Sequence, residues 1–251
     1  MNAPPASLTI HPAKAALLAQ IQRLTSLIAQ LEEERAGCQY RIDQYYRLFR
    51  MHLGDLLTQT VDLQMQLALR RATQTGRRSD AEEAQVWRDR FEQTNQSVRE
   101  AIAHQPADLD ETAEEELRRL YRQAVRLAHP DRHANNPDRM AQATAYLARL
   151  NDAYQRRDLT AVRRLTQELN DGRVFANGAE ATNDLDALSQ WHQRLTARQT
   201  TLQVEIDRLK ADEAYTRMTT ETDLMNHFRA LREAMIQQID QLKRQLGGQS
   251  N

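Results

Sequence analysis

His129, Pro130, Asp131 and Arg132 set an imidazole, a carboxylate and a guanidinium around one proline. His133 follows directly, so a metal site is the first chemistry to weigh. The spacing allows two ligands from one loop, but no further His or Cys follows nearby to complete the three or four protein ligands that zinc takes. Enzymatic readings fare no better. The chain carries no GxxxxGK[ST] phosphate loop, no GxSxG elbow and no HExxH pair. Its carboxylates lie mostly on amphipathic helices, where they solubilise. No catalytic residue, cofactor or metal is therefore expected. Recognition of another protein remains. Pro130 restricts the backbone, so His129 and Asp131 are expected to point outward in a fixed geometry.

A helix must hold that loop. Thr112 followed by Glu115 reads as a capping box, and Leu117, Leu120, Tyr121, Ala124, Val125 and Ala128 form one apolar face. Arg118, Arg119, Arg122 and Arg126 populate the other side. Such a stripe suits an acidic protein face, where it steers encounter more than it sets affinity. Nucleic acid is not expected, because the stripe has no interleaved aromatics and the chain has 34 basic against 35 acidic residues. Pro130 ends the helix. Pro137 opens the next, through Tyr146, Leu147, Leu150, Ala153 and Tyr154. Packed antiparallel, these two helices would bury Leu117, Leu120, Tyr121 and Ala124 against Leu147, Leu150 and Tyr154.

The flanks are longer. Leu17, Ile21, Leu24, Ile28, Leu31, Arg35, Cys38, Ile42, Tyr45 and Phe49 alternate steps of four and three, a heptad seam. Gly37 and Gly54 sit inside it without turn formers beside them, so the helix is expected to run through. Leu188, Leu195, Leu202 and Leu209, then Met225, Phe228, Arg232, Met235, Ile239, Leu242 and Leu246, repeat the pattern near the C-terminus. The expected organisation is a disordered leader at 1–14, an N-terminal coiled-coil arm at 15–73, a helical domain at 81–170 with its core at 112–157, a linker at 171–184, a C-terminal coiled-coil arm at 185–246 and a tail at 247–251. Each arm would span roughly 90 Å at 1.5 Å per residue. The simplest assembly is an antiparallel hairpin of the two arms with the centre at its tip. Homodimerisation through the same seams is the alternative, since heptads do not specify their partner.

Composition agrees with an all-α chain. Apolar residues make up 40% and there are only 7 glycines and 6 prolines, too few for turn-rich β architecture. A mean hydropathy of −0.77 argues against one large core throughout. One cysteine excludes an internal disulfide. No run approaches the ~18 apolar residues of a membrane span, and the N-terminus lacks a secretory pattern, so a cytoplasmic protein without membrane contact is expected.

The segment ELRRLYRQAVRLAHPDRH, with its acidic entry TAEEE, Tyr121 ahead of His129, and the NDAY ending of the following helix, resembles the J-domain of Hsp40 co-chaperones. The resemblance covers about 112–157. It departs from the family at Gln123, Leu127 and Ala128, where basic and Tyr residues are common. It also lacks the family's aromatic-rich first helix, for which 81–103 with Trp87 and Phe91 is the candidate. What the resemblance implies is an all-α central helical hairpin between coiled-coil extensions and an Hsp70 (DnaK-like) partner. The Hsp70 would be bound by His129, Pro130, Asp131, Arg132, Arg118, Arg119, Arg122 and Arg126. Its ATP hydrolysis would be stimulated through Asp131, and a client or scaffold partner would be left to the arms.

Overall fold

The computed structural model describes residues 12–103, 108–133, 136–172, 174, 185–220 and 223–248. Most of the expected leader, nearly all of the linker and residues 249–251 of the tail lie outside them. Among the described residues there are eight α-helices, one 3-10 turn and no strand, as the composition requires. They fall into two compact units, Met1–Tyr40 with Pro106–Ala211, and Arg41–Gln105 with Asp212–Asn251.

Helix α1 runs from Pro12 to Thr75, through Gly37 and Gly54 as expected. Of its seam, Ile21, Ile28, Leu31, Cys38, Ile42 and Tyr45 are buried. In the second unit α1 ends at Gly76, whose φ of 63° is the left-handed backbone that glycine adopts without strain. Helix α2 (Arg78–Ala103) then returns along α1. Arg71 meets Glu83 at 3.2 Å, and Gly54 lies against Val98 further down. Gly54 earns its place here, since a Cβ on it would stand 2.8 Å from Val98 Cγ1. The segment 81–103 thus belongs to this unit, and 108–172 to the other.

The C-terminal segment forms three helices where one was expected: α6 (Leu185–Lys210), α7 (Glu213–Thr220) and α8 (Leu224–Gly248). Two aspartates restart it. Asp212 accepts the Ala214 N–H at 2.8 Å, and Asp223 accepts the Asn226 N–H at 2.9 Å. Its sense also differs from expectation. In the second unit Tyr45 Oη meets His227 Nε2 at 2.9 Å, Asp55 meets Arg232 at 3.3 Å, and Arg70 donates to the Leu246 carbonyl at 2.6 Å. Both numbers rise together, so α8 runs parallel to α1. Leu56, Leu63, Ile239 and Leu242 form the core between them. The antiparallel hairpin of arms is therefore corrected: α2 is the antiparallel partner of α1 in this unit. In the first unit α6 also follows α1 in parallel sense, with Glu32 on Arg198 and Arg35 on Glu205.

The first unit holds α3 (Glu111–Ala128), the 3-10 turn Pro130–His133, α4 (Pro137–Gln155) and α5 (Leu159–Asn170), packed with the first part of α1. Among the described residues no helix is long and apolar enough to cross a membrane.

Candidate functional site

Helix α3 opens two residues earlier than the Thr112 capping box implies. Asp110 is the cap, its carboxylate accepting the Ala113 N–H at 2.8 Å, and its charge also suits the helix N-terminus. Leu117, Tyr121, Ala124, Val125 and Ala128 are all but fully enclosed. They pack on Leu150, Ala153 and Tyr154 of α4, with Leu147 at the margin, as the apolar periods indicated. The Tyr121 and Tyr154 rings lie 4.4 Å apart, and the Tyr121 hydroxyl donates to Asn151 at 2.7 Å. Asn136 caps α4 by accepting the Arg139 N–H, ahead of Pro137 in its first turn. Asp158 caps α5, whose Val162, Leu165 and Leu169 complete the same core.

The proline acts where expected. His129 is held extended, with ψ 128°, because the residue before proline is excluded from the helical region. The chain then turns, with the Arg132 N–H donating to the His129 carbonyl at 3.0 Å. Arg132 reaches back to donate to the Arg126 carbonyl at 2.9 Å, covering an open carbonyl at the end of α3.

His129 does not point outward. It is 5% exposed, with Glu32 of α1 and Arg198 of α6 among the charges around the ring. Its Nδ1 accepts the Asp131 N–H at 3.3 Å and lies 3.5 Å from the Asp131 carboxylate. The second contact would be an ion pair only with a protonated ring. Burial holds the imidazole below its ordinary range, against the pull of Asp131 and Glu32, and an accepting Nδ1 needs a neutral ring. His129 therefore fixes the turn, while Asp131 keeps 28% of its side chain exposed.

The arginine stripe divides. Arg119 and Arg126 are exposed. Arg122 meets Glu33 of α1 at 3.3 Å, and Arg118 lies between Glu114 at 3.3 Å and Glu33 at 3.9 Å. Glu33 also accepts the Tyr154 hydroxyl at 2.9 Å. Burial, with the Glu33 charge adding to it, pushes the Tyr154 phenol up to about 12. Glu33 was missed in the sequence, as were Ala29 and Ala36, the small residues with which α1 enters this core. The acidic run 32–34 beside a seam, read against four arginines on one helix, was the available signal.

Arg157 was missed as well. It is 7% exposed at a φ of 55°, with its guanidinium carbon 3.8 Å from the centre of the Tyr40 ring and an ion pair to Glu114 at 3.1 Å. Among the described residues no group of three His, Cys, Asp or Glu could hold a metal ion.

No family model, curated protein or solved structure matches the chain.

Proposed function

We propose that this protein is a cytoplasmic co-chaperone of the J-domain kind, which docks an Hsp70 through the 129–132 turn and the α3 arginines and stimulates its ATP hydrolysis. The observation that carries the reading is Asp131, a carboxylate with 28% of its side chain exposed, on a proline-fixed turn after the arginine-bearing C-terminal part of α3. Arg119 and Arg126, exposed on α3, supply the charge that would meet an acidic face of the ATPase domain. Asp131 would engage a basic group at that partner's interdomain junction. The protein would have no chemistry of its own, and the helices outside 112–157 would be left for client or partner binding. Steady-state ATPase of the host's Hsp70 tests this. Wild-type protein should stimulate and Asp131→Asn should not; equal stimulation by both, or none by the wild type, overturns it.

A second reading is a helical scaffold that keeps the turn as a docking surface without stimulating an Hsp70. It is favoured by the inward position of His129 and by the hold of Glu33 on Arg122. Affinity capture separates the two, because a scaffold retains a non-Hsp70 partner when Asp131 is replaced.

A further inference from the structure

Glu32, Glu33 and Glu34 succeed one another on α1, about 100° apart around the helix. Each meets a different basic group. Glu32 pairs with Arg198 and Arg35, Glu34 pairs with Lys210 at 2.6 Å, and Glu33 forms its ion pairs with α3. There its carboxylate, 18% exposed, holds Arg122 and borders Arg118. Those arginine side chains keep 36% and 44% exposure, so they are gripped from the α1 side while still reachable from solvent. The same arginines are among those assigned to an acidic partner. One carboxylate of this chain already occupies part of the position that the partner's carboxylates would take.

We propose that Glu33 is an internal competitor for the acidic partner of the α3 face, so that α1 sets how tightly that face binds. The inference rests on the docking reading above and adds a residue that limits it. The pair is a single contact at 3.3 Å whose Arg122 side is open to solvent, so a partner can displace it, and the competition costs affinity without closing the site.

The test compares two charge-matched variants of the full chain for affinity to the host's Hsp70, measured by biolayer interferometry. Glu33→Gln removes the charge facing Arg122 but keeps an amide oxygen for the Tyr154 hydroxyl. Glu34→Gln removes the same charge one residue on and releases Lys210 instead. The expected result is binding tighter by about two- to five-fold for Glu33→Gln and unchanged for Glu34→Gln, with the gain lost at high salt and abolished by adding Arg122→Gln. Glu33→Asp, whose shorter arm withdraws from Arg122, should act in the same direction and serves if Glu33→Gln fails to fold. If the wild type binds and Glu33→Gln is no tighter than Glu34→Gln, the competitor is refuted and the docking reading stands. If the wild type and all variants fail to bind, the docking reading falls and the competitor falls with it.

Discussion

Arg157 lies over Tyr40, its guanidinium carbon 3.8 Å from the ring centre. Tyr154 offers a second ring at 4.8 Å and Glu114 the counter-charge. Removing the side chain leaves Glu114 without that counter-charge and two aromatic faces uncovered. Arg157→Ala should cost about 3 kcal/mol in urea denaturation. Arg157→Gly should cost about 1 kcal/mol less than alanine, because glycine accepts the positive φ. Equal losses would mean that the backbone there is unstrained.

Gly54 and Val98 mark the close approach of α1 and α2. Alanine at 54 gains about 1 kcal/mol of helix propensity but drives its Cβ into a β-branched side chain with little freedom to yield. Gly54→Ala should therefore destabilise by about 1 kcal/mol net, and adding Val98→Ala should recover most of the crowding term. Thermal melts of the two single variants and the double variant decide it.

The parallel pairing of α1 and α8 is open to direct chemistry. With Cys38→Ala as background, cysteines replacing Asp55 and Arg232 should be bridged by a short bis-maleimide within one chain at high dilution. Bridging found only between chains would show that the seam pairs copies of the protein instead.

His129 sets a pH dependence whose sign follows from its burial. Its folded-state pKa is depressed, so the unfolded chain binds the proton more readily. The contribution of His129 to stability is present above about pH 6.5, the ordinary imidazole value, and is lost as pH falls through the lower folded value. The groups facing the ring are Asp131, Glu32, Arg198 and Arg132. Denaturation at pH 7.5 and pH 5.5 should show a larger acid-side loss for the wild type than for His129→Gln. An equal loss would place the titration elsewhere.

Much of the site was legible because α3 and α4 carry clean apolar periods that meet across one core. The turn was legible because proline constrains its neighbour whatever surrounds it. The position of His129 was not, since groups around its ring, Glu32 of α1 and Arg198 of α6, come from distant parts of the chain. Glu33 looked like one of three solvated carboxylates, and only the packing of α1 on α3 gives it a role. The sense of the arms was illegible for a different reason: heptads record where a stripe lies and carry no direction. Asp212 and Asp223 sat in a polar stretch that fits a continuous helix as well as it fits two caps.

Cys38, the chain's sole thiol, is 1% exposed on the α1 seam of the first unit. Thiol reagents therefore reach it only when that unit breathes, so the rate of alkylation counts opening events without any label being added. A ligand engaging the α3 face and tightening α1 would slow that clock; one prising α1 away would quicken it.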